Sequence, residues 1–385
     1  MKFLLLGAGL MGRAIAYDLM QYMPHAEIII ADYKQKALQE VKTFLDNSKV
    51  ATLQLDVKNE NAVLENMSEV EVTIGSISYH YNYKLSQLAI EAGSDFIDLG
   101  GNNSIVQKQF SLNKKAKQNE VTIIADCGLA PGLGNILTAD GVSNIDTVDE
   151  IHIRVGGLPQ NPQDPLDYAL VFSVKGLINE YKEKATIIRN GSVQEVDSLT
   201  EVECITFPEP FGKLEAFHTS GGTSTLPHTL ANKVKELDYK TIRYPGHCEK
   251  IRLLFSLGLA KEKEIKINSC LVKPRDVLEK CLYQTLYQGI IEDVVLMRVS
   301  ITGKKDNRKT NLTYELIDYF DEKTQLTAMM RTTAFPVSII AQLLAKNKIE
   351  KNGVIVQEFN VPSQTVIDEL KKRNVLIKKQ VKIES

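Results

Sequence analysis

The sequence predicts an α/β protein, with a Rossmann-type parallel-sheet domain followed by a second domain of α+β character. Three observations predict it. Short apolar runs without a polar face recur through the first third of the chain, each followed by residues at helical spacing, which is the grammar of βαβ units. A glycine-rich turn separates the first run from its helix, and an acid ends the second run. From about Ile151 the runs alternate instead, with Gly, Pro and Asn-Gly between them, as in antiparallel sheets.

The opening stretch is the most specific. Lys2-Phe3-Leu4-Leu5-Leu6 reads as a strand buried on both faces, Gly7-Ala8-Gly9-Leu10-Met11-Gly12 follows, and Arg13 to Met23 reads as a helix. Glu27 to Ala31 is a second buried strand, ended by Asp32, 20 residues after Gly12. Gly7 permits the tight turn, Gly9 lets a pyrophosphate approach the backbone, and Gly12 lets helix and strand pack closely. The free N–H groups at Leu10 and Met11 open the helix toward the phosphates. Asp32 is placed to accept from a ribose 2′-hydroxyl and to repel a 2′-phosphate, so the expected cofactor is NAD.

Helices are then expected at Gln35–Asn47, Asn61–Met67, Lys84–Ala92 and Gln107–Gln118, and strands at Ala51–Asp56, Glu71–Ser76, Asp95–Leu99 and Val121–Ala125. Parallel sheets bind ligands at the carboxyl ends of their strands. That rule selects Asp56 and Val57, Ser76 to Tyr79, Asp98 to Asn102, and Asp126 to Gly132, with Ser76 and Asp98 joining the cofactor set.

In the second domain, Ile151–Val155 is expected to end in a turn at Gly156-Gly157-Leu158-Pro159, and Thr186–Val193 to form a hairpin about Asn190-Gly191. Strands are expected at 202–207, 214–217, 294–301 and 311–319, and helices at 175–181, 245–257 and 274–286. Thr327 to Lys346 reads as a long apolar helix returning to the first domain. The expected partition is therefore 1–127 joined by 328–385 for the dinucleotide, and 128–327 for substrate binding and dimerisation. Lys371-Lys372-Arg373 and Lys378-Lys379 read as a solvated face.

Composition bounds the function. A net charge of −2 with 24% charged residues argues against a nucleic-acid surface. The apolar runs read as too short for a bilayer, and the chain opens on a strand rather than a signal peptide, so no membrane partner is expected. Five scattered cysteines without a CxxC pair, and six dispersed histidines without HExxH, suit reduced thiols in a cytoplasmic protein and give no metal site.

Several motifs in order resemble the saccharopine-dehydrogenase-like family, and within it the lysine 6-dehydrogenase branch. They are the Gly7–Leu19 opening, Ile97-Asp98-Leu99-Gly100-Gly101 and Asp126-Cys127-Gly128-Leu129-Ala130-Pro131-Gly132-Leu133. In the second domain they are 155–159, 188–191, Glu215 to Gly222 and Lys240 to His247. The resemblance covers nearly the full length. It implies an oxidoreductase working on C–N bonds of amino acids with a nicotinamide cofactor. For the lysine branch it implies hydride removal from the carbon bearing the ε-amine, hydrolysis of the imine to 2-aminoadipate semialdehyde and ammonia, and cyclisation. It also implies a homodimer or higher homo-oligomer.

Such chemistry needs a neutral amine, a base that also activates water, and an anchor for the substrate carboxylate. Tyr79 and the adjacent His80 lie past the strand ending at Ser76, as acid/base or amine-orienting candidates or as cofactor wall. Asp126 pairs with the amine, positions its base, or caps a helix; Cys127 lines the substrate or simply packs. His218 and Thr219, in a polar glycine loop, are candidates to hold a carboxylate. Arg243 is the chosen carboxylate anchor, with a domain salt bridge as the other reading, and Arg331 reaches the cleft or meets an internal acid. Two alternatives stay open: a saccharopine- or carboxynorspermidine-type reaction, whose substrates require more unpaired arginines, and a non-catalytic NAD-binding regulator.

Overall fold

A computed structural model describes residues 1–45, 50–350 and 353–384. The chain divides into two compact units, Met1–Asp140 with Ser224–Leu226 and Met330–Val375, and Gly141–Thr223 with Pro227–Met329 and Leu376–Ser385. Compared with the expected partition, the first unit runs on to Asp140, takes in Ser224–Leu226, and does not include the last ten residues.

In the first unit, β1 (Lys2–Leu6), β2 (Glu27–Asp32), β3 (Val50–Gln54), β4 (Val72–Gly75), β5 (Asp95–Asp98) and β6 (Thr122–Ile124) form a wholly parallel sheet. A seventh strand, Gly353–Ile355, joins at β6, giving the order Gly353–Ile355, β6, β5, β4, β1, β2, β3. The order reverses beside β1, so the carboxyl ends of β1 and β4 flank the crevice where such sheets take ligands. Phe3, Leu4, Leu5 and Leu6 are all fully buried. Each contributes roughly 1.5–3 kcal/mol by leaving water, which is why a run with no polar face becomes a central strand. Most elements lie within a few residues of their expected bounds. The helix expected at Gln35–Asn47 is seen over Gln35–Leu45, and its last two residues fall outside the described residues. The helix expected at Gln107–Gln118 is two, Asn103–Phe110 and Asn113–Gln118, and the first starts early because Asn102 Oδ1 caps it by accepting from the Ile105 N–H.

The second unit is built on a mixed sheet. Its strands are β7 (Thr147–Pro159), β8 (Ala185–Arg189), β9 (Ser192–Val196), β10 (Glu203–Phe207), β11 (Gly212–His218) and β12 (Glu236–Arg243). The small hairpin β13 (Ile265–Ile267) and β14 (Cys270–Val272) stands apart, and the long pair β15 (Asp293–Lys305) and β16 (Arg308–Tyr319) follows. With Gly353–Ile355 as β17, the last strand is β18 (Ile377–Ile383). The main path runs β10-β11-β12-β7-β15-β16-β18, with β8 joining β12 and β9 joining β8. Among the described strands of this unit, β12 and β7 alone pair in parallel.

Three expectations are corrected here. Gly156-Gly157-Leu158-Pro159 is no turn, for β7 runs through it; a Cβ on Gly156 would lie 2.6 Å from the Ile242 carbonyl oxygen, and one on Gly157 would lie 2.4 Å from Met329 Cε. Those glycines serve close approach, not a bend. Lys371, Lys372, Lys378 and Lys379 are exposed as expected, the last two in β18 paired with Glu315 and Tyr314 of β16, but Arg373 is buried rather than solvated. The helix Ala328–Ala345 is, by length and composition, apolar enough to cross a bilayer, yet 83% of it is buried inside the protein. Its Ser338 and Gln342 donate to the buried Asp18 carboxylate at 2.7 and 3.1 Å. The Asn190-Gly191 hairpin forms as expected, with φ of 51° and 78°, the left-handed pair that a two-residue hairpin turn demands.

Candidate active site

The glycine loop of the first unit has the geometry its spacing implies. Gly7 sits at φ 111°, where a Cβ would lie 2.4 Å from the Ser76 carbonyl oxygen, and a Cβ on Gly12 would lie 2.0 Å from that of Gly7. A Cβ on Gly9 would meet nothing within 4 Å, so the backbone there is open to a large anion. The helix Leu10–Tyr22 starts at Gly9 without a side-chain cap, leaving the amides of Leu10, Met11 and Gly12 to a ligand. Asp32 ends β2 with its carboxylate fixed by two amides, Ala8 N–H at 2.9 Å and Lys34 N–H at 2.8 Å. Ser76 Oγ is buried without a partner among the described residues. An open glycine, uncapped amides and an orphan hydroxyl together fit a dinucleotide. Asp56 lies in an exposed turn after β3, its Oδ1 accepting from Lys58 N–H at 3.0 Å, and Val57 packs against the core.

At the carboxyl ends of β5 and β6 three acids are buried: Asp98, Asp126 and Glu358. Asp98 accepts from Gln109 Nε2 and Gly100 N–H, both at 2.7 Å, and burial raises its carboxyl to about 6. Asp126 accepts from Ser224 Oγ at 2.5 Å and Gly101 N–H at 3.3 Å. Burial pushes the Asp126 carboxyl up to about 7, with the Asp98 charge adding to the effect. Its backbone is held at φ 63°, a left-handed conformation costing roughly 1–3 kcal/mol in a non-glycine residue. Gly100 makes room for it, since a Cβ there would lie 1.5 Å from Asp126 Oδ1. Glu358 accepts from Thr225 Oγ1 at 2.7 Å, and Gln357 Nε2 donates to the Asp126 carbonyl at 2.6 Å. A carboxyl poised near neutrality can take and return a proton.

Tyr79 lies beside this cluster, its ring 3.2 Å from where a Gly101 Cβ would be. His80 is exposed, with its ring centroid 4.3 Å from that of Tyr79. Cys127 is fully buried, and burial holds its thiol protonated, well above the usual range. Arg331 is buried and donates to the Asn374 carbonyl at 3.1 Å.

In the second unit, His218 ends β11 instead of lying in the loop. Its ring nitrogens contact the Tyr239 carbonyl and Glu201 Oε2, each at 3.2 Å, and Thr219 Oγ1 bonds Thr241 Oγ1 at 2.7 Å. Both are locked into the sheet. Arg243 ends β12, buried, with its guanidinium 4.7 Å over the Tyr168 ring. Its Nε donates to Tyr181 Oη at 3.0 Å and Nη1 to the Ile242 carbonyl at 2.9 Å. Tyr181 in turn bonds His247 Nε2 at 3.0 Å, and His247 Nδ1 donates to the Leu166 carbonyl at 2.9 Å. Burial lowers His247 to about 3, so the ring is neutral and accepts the Tyr181 hydroxyl. No described carboxylate pairs with Arg243.

The residues missed in the sequence are Ser224, Glu358, Glu180, Tyr181 and Tyr168. Only the polar glycine loop containing Ser224 carried a signal; the others lie on ordinary helices and loops far along the chain.

Fold and site together define a Rossmann dinucleotide-binding protein with a buried, near-neutral carboxyl at the sheet's ligand end. The particular family follows from comparison. The Saccharopine dehydrogenase NADP binding domain matches residues 3–124, and the Saccharopine dehydrogenase C-terminal domain matches 128–376. The chain belongs to the saccharopine dehydrogenase family. It is 24% identical over 278 residues to the saccharopine dehydrogenase [NADP(+), L-glutamate-forming] of Schizosaccharomyces pombe, covering 68% of this chain and 58% of that protein. It is 23% identical over 417 residues to the alpha-aminoadipic semialdehyde synthase of Arabidopsis thaliana, covering 85% of this chain and 38% of that protein. The chain thus spans under two thirds of the length of these relatives. A solved structure of apo saccharopine dehydrogenase (L-Glu forming) from Saccharomyces cerevisiae shares the fold, with a TM-score of 0.80, 17% identity and 99% coverage of both chains.

Proposed function

We propose that this protein is an NAD-dependent oxidoreductase acting on the CH–NH₂ group of an amino acid, with the ε-amine of L-lysine as substrate. The observation that carries the reading is Asp126, a buried carboxyl held near neutrality by burial and by Asp98 at the ligand end of the sheet. In the reaction, Asp126 takes a proton from the substrate nitrogen as hydride leaves the adjacent carbon and the C=N bond forms. Bound nicotinamide supplies the hydride acceptor. Asp126 returns that proton to the imine nitrogen, then serves as base for the water that adds to the imine carbon, and passes the water proton to the nitrogen as the C–N bond breaks to release ammonia and 2-aminoadipate 6-semialdehyde. Ser224 and Gly101 hold the Asp126 carboxylate in place, and Tyr79 walls the amine. Within the second unit Arg243 is the carboxylate anchor, its Nη2 making no hydrogen bond among the described residues.

Two features support the finer choices. Asp32 puts a fixed negative charge where a 2′-phosphate would lie, which favours NAD even though the curated relatives are named for NADP. The buried arginines described in the second unit are Arg154, bonded to Glu203 and Asp238, and Arg243. One unpaired buried guanidinium suits one carboxylate, as in lysine. Saccharopine carries more, and remains the second reading because the relatives bear that name. The test is reduced-nicotinamide absorbance from NAD with L-lysine and with saccharopine at about pH 9–10, where more of the amine is neutral. Turnover with lysine alone supports the reading; turnover with saccharopine alone replaces it.

A further inference from the structure

A second charged group stands beside Arg243 without pairing to it. Glu180, at the end of the helix Val174–Lys182, is half-buried, and its carboxylate makes no hydrogen bond or ion pair among the described residues. It directly precedes Tyr181, which bonds Arg243, and burial raises its carboxyl to about 7 against the pull of the Arg243 charge. Tyr168, only 2% exposed, stacks on Arg243, and its hydroxyl is buried without a partner among the described residues. Withdrawn charges of opposite sign ordinarily collapse into an ion pair. Here the Arg243 guanidinium is turned by Tyr181 and the Ile242 carbonyl, with the neutral His247 ring holding Tyr181. The two charges are kept apart, each with unused hydrogen-bonding capacity, and an orphan hydroxyl lies against the cation.

We propose that Glu180, Arg243 and Tyr168 form a subsite for the α-amino-acid head group, with Glu180 binding the α-ammonium and Arg243 with Tyr168 binding the α-carboxylate. This rests on the proposed amino-acid substrate and adds the recognition of its ammonium. A zwitterion completes both charges at once, whereas a simple acid or a simple amine satisfies one and leaves the other exposed. The subsite therefore selects α-amino acids over diamines and over ω-amino acids that lack the α-amine.

Calorimetric titration of the full chain with L-norleucine, hexanoate and 1-aminopentane, at about pH 8, tests this without requiring turnover. Norleucine has the head group and no ε-amine. The wild-type protein is expected to bind norleucine at least about tenfold more tightly than either single-charge probe, a difference of about 1.4 kcal/mol. Glu180→Gln is expected to weaken norleucine about tenfold or more while leaving hexanoate within twofold. Tyr168→Phe is expected to weaken norleucine and hexanoate alike, by a few-fold. Glu180→Asp, which keeps the charge, should recover part of the loss and controls for misfolding. Equal losses for norleucine and hexanoate in Glu180→Gln, no loss at all, or no norleucine binding by the wild type would each overturn the proposal. If norleucine discrimination holds while lysine is not oxidised, the reaction fails and the subsite stands.

Discussion

Two of the buried arginines, one in each unit, are treated in opposite ways. Arg373, in the first unit, is saturated: Nε and Nη2 bond the two oxygens of Asp18 at 2.6 and 3.1 Å, and Nη1 bonds Glu369 at 2.7 Å. The Tyr22 ring lies 3.6 Å beneath it. Ser338 and Gln342 complete the Asp18 carboxylate, so helices 10–22, 328–345 and 363–372 are tied at one point. Arg243, in the second unit, has a phenol, a carbonyl and an aromatic face, but no paired acid among the described residues. Two buried acids divide the same way, Asp18 meeting a cation and Asp126, among the described residues, meeting neutral donors and other acids. A fully partnered charge holds the fold together. A charge kept under-partnered costs stability and is available to a ligand.

That contrast can be broken by substitution, and the largest expected effect is at Asp126. Asp126→Asn should lower kcat by about 10²–10⁴, the usual worth of general acid–base catalysis. In the wild type kcat/KM should rise with pH through about 7 as this base ionises, and the variant should lose that limb. Its stability should move the other way. A carboxyl whose folded pKa is raised stabilises the fold below its unfolded pKa and loses that contribution as pH rises through about 7. Asp126→Asn should therefore melt higher than wild type at pH 8, by roughly 2–4 °C for each kcal/mol regained.

Arg373→Leu should do the reverse, costing about 3–5 kcal/mol because Asp18 is left buried and unpaired; denaturant midpoints measure it, with kcat per folded molecule unchanged. Asp32→Ala should shift cofactor preference toward NADP by about tenfold, read from the ratio of kcat/KM values; an unchanged ratio would remove Asp32 from cofactor choice. Gly191→Ala, at φ 78° in an exposed hairpin, should cost only about 1–2 kcal/mol and leave activity alone.

Legibility in the sequence followed the range of the interactions. The β1–loop–helix–β2 unit was readable because its turn, strand burial and terminal acid are local, and Gly7, Gly9, Gly12 and Asp32 each answer to a nearby neighbour. The parallel and mixed sheets were readable from periodicity. The Gly156-Gly157 pair misled because a glycine that makes room looks the same in sequence as one that bends the chain. Arg373 misled because its partner Asp18 lies 355 residues away, while the lysines around it are exposed as expected. Asp126 and Arg243 could be chosen as candidates from strand ends and the family resemblance. Their settings, set by Ser224, Glu358, Tyr181 and Tyr168, depend on long-range contacts that no spacing encodes.

The most direct test measures L-lysine affinity and thermal midpoint together for Arg243→Gln. The contrast between the two arginines predicts an affinity loss of at least about tenfold, as expected for charge-assisted hydrogen bonds to a carboxylate, with a midpoint equal to wild type or higher. A midpoint that collapses as in Arg373→Leu, with lysine affinity unchanged, would show that Arg243 serves the fold and would contradict the assignment.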